Sequence, residues 1–332
     1  MSVPVIALFN NKGGVGKTTL AYHLVWKLND LGMRVLACDL DPQANFTAAF
    51  LSDDELEAVW EGGGSTIYRS LVPLIEGSGD LSEPAPLRRA ENLHLLPGDL
   101  DLSKFEDDLS QNWPECLSGK VRAFKVISGF WRVIQRAAES TNSNIALVDL
   151  GPTLGAITRA ALVASDYLVI PVAPDLFSLR GLMNLGPAVR RWRKEWEDRL
   201  TRKPRDMGFA LPEGGMRPLG YVVLQHAVRL DRPVVAYNKW MSRIPDVYLQ
   251  SVLENQPSVQ SAELAQLKHY RSLMPLAQEA RKPVFHLKPA DGAIGAHAQA
   301  AKEMGRDFEK LSLTILDRAG IPHPVANTPP NE

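Results

Sequence analysis

The sequence predicts an α/β fold: a doubly wound, mostly parallel sheet flanked by helices, with a helical elaboration in the C-terminal half. Three observations predict it. Short apolar runs recur at residues 3–9, 34–38, 144–148, 167–172 and 219–224. Segments with helical spacing separate several of them. The first run leads straight into a glycine-rich turn, residues 10–17, that opens a helix. Apolar strands alternating with helices build parallel sheets, because each crossover helix must cover a face of the sheet.

Each element has its own signal. Residues 3–9 read as a buried central strand and, lacking a charged leader, not as a signal sequence. Residues 18–31 read as a helix: Leu20, Leu24, Leu28 and Leu31 recur at helical spacing and Gly32 stops it. Residues 34–38 form a second strand that ends at Asp39. Residues 53–64, acidic and then glycine-rich, are expected to be a surface loop. A strand over 144–148 ends at Asp149. The strand 167–172 precedes a long helix over 176–196. Residues 203–218, rich in proline and glycine, read as a loop before the strand 219–224. Helices are expected over 233–253 and 294–318. The predicted organisation is one domain over 1–318, with 229–271 as the helical elaboration and 319–332 as a disordered tail; its last stretch, 322–332, carries four prolines.

Composition narrows the function. The chain has 332 residues, 45% hydrophobic and 23% charged, the balance of a globular protein with a large core. Its 37 Lys and Arg nearly match its 38 Asp and Glu, so any nucleic-acid surface has to be a local patch. The two cysteines, Cys38 and Cys116, exclude a disulfide framework and suit a reducing, cytoplasmic setting. No apolar run approaches the ~20 residues that span a bilayer.

The chemistry begins at Lys12-Gly13-Gly14-Val15-Gly16-Lys17-Thr18-Thr19. Glycines let the backbone turn tightly and aim N–H groups at phosphate oxygens, and the helix that follows adds its positive end. The flanking strand and helix are the context a phosphate loop requires. Lys17 is expected to reach the β- and γ-phosphates, the Thr18 hydroxyl to ligate Mg2+, and Thr19 to reach the α-phosphate. Asn11 stands where glycine is usual, and asparagine tolerates left-handed angles. Lys12 puts a second positive charge beside Lys17, unfavourable without a dense anion nearby. A triphosphate in the loop explains it; a phosphate held by a partner subunit explains it better.

In these residues the chain resembles the ParA/MinD family of deviant-Walker P-loop ATPases, within it the ParA/Soj-like partitioning ATPases. The resemblance implies ATP and Mg2+ as cofactors and a homodimer formed with ATP, in which Lys12 crosses the interface to the partner's nucleotide. It runs nearly end to end, through residues 66–71, 92–109 and 280–285, and leaves 229–271 unmatched.

Asp39-Leu40-Asp41-Pro42-Gln43 places two carboxylates at the end of the second strand, beside the phosphate loop in a parallel sheet. Such a run can also cap a helix. The family's DxDPQ segment implies that Asp39 supports Mg2+ through water and that Asp41 orients the attacking water, so Lys12, Lys17 and Asp41 are the implied catalytic residues. Asp149, delivered by an apolar strand, reads as a carboxylate of the Mg2+ shell. Leu150 and Gly151 depart from the family's D-[TS]-P-P pattern.

Residues 170–182 look like the family segment that closes over the adenine, which implies base contacts at Pro174 and Asp175; Gln225 stands where the family has a polar residue near the base. Arg271 and Lys282 lie in the late segment where compact members of the family carry nonspecific DNA contacts, and Lys268 and Arg243 are added to them as candidates. A basic run over 190–205 reads as a solvated helix face or as part of that surface. The C-terminus lacks the cationic amphipathic helix of membrane-bound members, so no membrane is expected. The implied function is an ATP-dependent DNA-partitioning or cargo-positioning ATPase, nucleoid-associated, with slow hydrolysis under a ParB-like or other stimulating partner. The alternative is an ATP-switched regulator acting on a protein without DNA. An iron–sulfur reductase would need two cluster-ligating cysteines from each chain at a symmetric interface, but Cys38 is expected inside a strand and Cys116 has no fitting context, and the extra Lys12 argues against a small-molecule kinase.

Overall fold

The computed structural model describes residues 2–224, 234–254, 261–268 and 273–324. Among them one sheet holds eight strands: β1 (Val5–Leu8), β2 (Val35–Leu40), β3 (Leu87–Ala90), β4 (Leu93–Leu96), β5 (Ile145–Leu150), β6 (Tyr167–Val172), β7 (Arg217–Leu224) and β8 (Glu263–Leu267). Their order is β3-β4-β2-β5-β1-β6-β7-β8, parallel throughout except at the β3–β4 edge. β1 therefore lies between β5 and β6, and the turn after it opens in the middle of the sheet's carboxyl edge. Strand register brings Leu8 and Asp39 to either side of Asp149.

The helices are α1 (Lys17–Asp30), α2 (Asn45–Phe50), α3 (Asp53–Trp60), α4 (Ile67–Glu76), α5 (Phe105–Glu115), α6 (Val121–Ile127), α7 (Gly129–Ser140), α8 (Ala156–Val163), α9 (Leu176–Leu200), α10 (Val234–Met241), α11 (Ile244–Ser251), α12 (Leu273–Ala280) and α13 (Ala296–Ala319). They form two layers because side chains of a strand alternate between faces. Val5, Ala7 and Phe9 join the core with α4 to α9 and α11. Ile6 and Leu8 face the opposite way and pack with Leu20, Leu24 and Leu28 of α1 and Phe308, Leu311 and Ile315 of α13. Each apolar face of the sheet is thereby taken out of water.

Three expectations need correction. Residues 53–64 do not form a loop: α3 starts at Asp53 and is closed by a capping box. Ser52 Oγ accepts from Glu55 N at 3.2 Å and Glu55 Oε2 accepts from Ser52 N at 2.7 Å. The acids that suggested a surface loop sit in the first turn, where the helix dipole favours them. The segment 229–271 is not only helical either, since after α10 and α11 it contributes β8 to the sheet edge. The tail expected from 319 is packed as far as its described part goes. Ile321 and His323 are buried, and a Cβ on Gly32 would lie 3.3 Å from Pro324 Cγ; residues 325–332 lie outside the described residues. The loop over 203–216 is as expected. No helix among the described residues is long and apolar enough to cross a membrane.

Candidate active site

The loop between β1 and α1 is shaped by two left-handed glycines, Gly14 at φ 70° and Gly16 at φ 88°. Gly16 is the N-cap of α1 and offers no side chain to its first-turn N–H groups. Those donors face a cavity of about 690 Å³ lined by Gly13, Gly14, Gly16, Lys17, Thr18 and Thr19 on the loop side. A Cβ on Gly13 or Gly14 would meet nothing within 4 Å, so the cradle is open on that side. Unpaired N–H groups at the positive end of a fourteen-residue helix are an anion site. Lys17 adds an ammonium, largely buried, whose Nζ donates to Lys12 O at 3.3 Å. Burial lowers its pKa, against the pull of Asp149 and Asp41.

Three carboxylates come together beside it, each in a different state. Asp149 is fully buried; its Oδ2 accepts from Thr18 Oγ1 at 2.7 Å and its Oδ1 has no hydrogen-bond partner. Burial, with the neighbouring Asp39 charge, pushes its carboxyl up to about 8. An idle oxygen on a buried carboxylate beside a threonine hydroxyl fits Mg2+, and Thr18 and Asp149 are the residues that would hold it. The ion would supply charge for phosphate oxygens. Among the described residues no cluster of three or more His, Cys, Asp or Glu side chains can hold a metal by itself. Mg2+ at nucleotide sites uses one or two carboxylates with water and phosphate.

Asp39, expected to support Mg2+ through water, is the register partner of Asp149 on the adjacent strand. It lies inside β2, fully buried, with both oxygens already engaged. Oδ1 accepts from Asp41 N at 3.1 Å; Oδ2 accepts from Thr47 N at 2.7 Å and Thr47 Oγ1 at 2.8 Å. Burial pushes it up to about 7 despite those bonds. Its observed work is to tie the end of β2 to α2. Asp41 is the member that lines the cavity, with Gln43 and Asn45. Its Oδ1 accepts from Gln43 N at 3.0 Å. Gly151 passes against it: a Cβ there would lie 2.9 Å from Asp41 Oδ1. The departure from the family's proline thus leaves room for this carboxylate.

The cavity extends from the loop past Tyr22 and His23, between Ala48 and Ala49 of α2 and Met274, Ala277 and Gln278 of α12, to Arg281 and Lys282. Pro174 and Asp175, expected near the base, are not among its lining residues. Asp175 is instead the N-cap of α9, its Oδ1 accepting from Ser178 N at 2.9 Å, and its Oδ2 pairs with Lys12 Nζ at 2.5 Å. Gln225 and Arg271 lie outside the described residues. Arg243 is exposed beside the Trp240 ring and Lys268 is exposed. Lys282, expected on a DNA surface, lines the cavity and pairs with both oxygens of Asp291 at 2.8 and 2.9 Å. Sequence reasoning missed His23. It is buried in α1, its Nδ1 2.8 Å from Thr19 O and its Nε2 accepting from Val284 N at 3.1 Å, and it bridges the loop helix to the far cavity wall. A lone histidine on an apolar helix face carried no signal for this.

A family model described as an AAA domain matches residues 3–202, more than half of the chain. The chain is 31% identical over 188 residues to the sporulation initiation inhibitor protein Soj of Bacillus subtilis (strain 168), covering 56% of this chain and 64% of that protein. It is 30% identical over 201 residues to the chromosome partitioning protein ParA of Caulobacter vibrioides (strain NA1000 / CB15N), covering 59% and 66%. The chain belongs to the ParA/MinD-type P-loop ATPases. This ParA/MinD-type chain spans less than two thirds of the length of either curated relative. Its fold is shared with protein DIP2308 from Corynebacterium diphtheriae, at a TM-score of 0.72 and 23% identity over 95% of this chain and 98% of that one. It is also shared with a Cyanothece McdA variant in complex with ATP, at 0.62 and 17% over 97% and 98%.

Proposed function

We propose that this protein is an ATP-driven dimerising switch of the partitioning or cargo-positioning kind. It binds Mg2+–ATP on the loop, pairs with a second copy over the nucleotide, and hydrolyses ATP slowly under a stimulating partner. The dimer holds nonspecific DNA. The observation that carries the reading is the place of Lys12. Lys12 is not among the residues that line the cavity of its own chain, and its ammonium pairs with Asp175, which lies outside that lining as well. A lysine in the loop that is not used by its own nucleotide site is available to a phosphate on another copy. Exposed apolar side chains support the same face: Leu154 follows β5, and Leu176 and Phe177 open α9 after β6, one on either side of the loop. Phe177 is 72% exposed and, next to Leu176 at 44%, gives a second copy an apolar surface to cover. In this reading Lys17, Thr18 and Thr19 hold the phosphates, Thr18 and Asp149 hold Mg2+, and Asp41 orients the attacking water. The name of the Caulobacter relative, a chromosome partitioning protein, favours partitioning.

The second reading, a switch acting on a protein without DNA, is favoured by the Lys282–Asp291 pair, which removes one expected cation from a DNA surface. Sedimentation of the wild type and Lys12→Ala with ATP, ADP or no nucleotide, with and without nonspecific duplex at two salt concentrations, tests both. ATP-only dimers lost in Lys12→Ala and a salt-sensitive complex with DNA are the expected results. Dimers that ignore DNA at low salt select the second reading. If ATP leaves the oligomeric state unchanged, both fail.

A further inference from the structure

The last main-chain bond between β1 and β6 runs from Phe9 N to Val169 O at 3.2 Å. Beyond it the backbones part, and one side chain continues the connection. Asn10 Nδ2 donates to Pro171 O at 2.6 Å, and Asn10 Oδ1 accepts from Lys12 N at 3.1 Å. The side chain is completely buried. A primary amide is suited to this double task, since it has donor and acceptor on one plane. Aspartate would leave the Pro171 carbonyl facing an acceptor, and alanine would leave two buried groups unpaired.

The helix beside it is built to admit this amide. Gly181 stands in the second turn of α9, and a Cβ there would fall 2.8 Å from Asn10 Oδ1 and 2.7 Å from Asn11 Oδ1. Lys12 is consequently fastened at both ends to the β6–α9 connection. Its main chain is held through Asn10 to Pro171, and its ammonium reaches Asp175 at the start of α9. The two fastenings differ in kind. The ammonium contact is partly exposed, and the amide contact to Pro171 is buried.

We infer that Asn10 is the positioning residue for Lys12: its amide fixes the lysine's main chain so that the released ammonium points out of the loop toward a second copy, and Gly181 supplies the space for that amide. Asn10 does not line the nucleotide cavity, so it acts on Lys12 and not on phosphate. The inference rests on the role proposed for Lys12 in dimerisation.

The test is a double-mutant cycle on the full-length protein. Asn10→Ala, Gly181→Ala, Lys12→Ala and the two double variants carrying Lys12→Ala are compared with wild type. Dimerisation with Mg2+–ATP is followed by sedimentation, and nucleotide affinity by titration with a fluorescent ATP analogue at protein concentrations that keep the chain monomeric. Asn10→Ala and Gly181→Ala each weaken dimerisation about tenfold or more, while affinity for the analogue falls less than about threefold, and neither change worsens Lys12→Ala. Losses that multiply in the double variants overturn the inference, because Asn10 would then act through something other than Lys12. Gly181→Ala keeps the Asn10 amide and displaces its oxygen together with that of Asn11, so if Asn10→Ala unfolds it decides the matter when compared with Asn11→Ala, which is expected to dimerise like wild type. If Lys12→Ala itself dimerises like wild type, the role of Lys12 fails, and this inference with it.

Discussion

Asp39 and Asp149 are register partners on adjacent parallel strands, both without solvent exposure. Two buried carboxylates side by side are held in a state that disfavours charge, with folded pKa values raised to about 7 and about 8. A carboxyl whose folded value lies above its unfolded value keeps its proton longer in the folded chain. Stability is then full at low pH and declines as pH rises from near 4 toward 8. The nucleotide-free protein is therefore expected to melt at lower temperature at pH 8 than Asp149→Asn, with the difference shrinking toward pH 5. A difference that does not change with pH would show that burial does not hold Asp149 protonated.

The same carboxylate is expected to be indispensable once Mg2+ is present. Asp149→Asn and Thr18→Ala should each lower Mg2+-dependent ATP hydrolysis by about a hundredfold or more, since positioned charge is the main catalytic resource at such sites. Steady-state phosphate release with and without Mg2+ checks this. Together with the melting result it describes a site that sacrifices stability for function.

His23 works in the opposite sense. Burial pushes it down to about 4, against the Thr19 carbonyl contact, so the folded chain holds it neutral. The unfolded chain binds that proton from about 6.5, so stability present above 6.5 is lost as pH falls toward 4, on the order of 3 kcal/mol in full. Thermal melts of wild type and His23→Gln at pH 7 and pH 4.5 should show wild type losing most of its advantage at the lower pH.

Gly151 should prove sensitive to a single methyl group. Gly151→Ala places a Cβ 2.9 Å from Asp41 Oδ1, which must yield. A misplaced positioning group costs rate before it costs binding, so kcat is expected to fall about tenfold or more while nucleotide affinity stays within about threefold. Equal losses in both would place Asp41 in binding and not in the reaction step.

The capping box of α3 gives a change remote from the site. Ser52→Ala is expected to cost about 1 kcal/mol in urea unfolding and leave hydrolysis unchanged.

Much of this was legible in the sequence because it depends on local spacing. The phosphate loop, the strand carrying Asp149 and the core pattern of α1 are short-range features, and the sheet forms around them. What stayed illegible depends on contacts across the fold. Thr47 occupies the Asp39 carboxylate from eight residues away, Asp175 turns to Lys12 across 163 residues, and His23 meets Val284 across 261. Spacing cannot report such partners. At α3 the signal was local: Ser52 and Glu55 stand three residues apart as a capping box requires, within a stretch whose acidic and glycine-rich composition resembles a loop.

The edges of the sheet carry one more consequence. β3 is four residues long, bears Arg88 and Arg89, and slips register against β4 between Arg88 and Ala90. At the other edge the Arg318 guanidinium of α13 donates to the carbonyls of Ser261 and Glu263 beside β8. Short strands, fixed cations and irregular pairing deny a neighbouring chain the unbroken template that strand addition needs. Among the described residues, both edges of the sheet therefore carry features that oppose fibrous growth by strand addition.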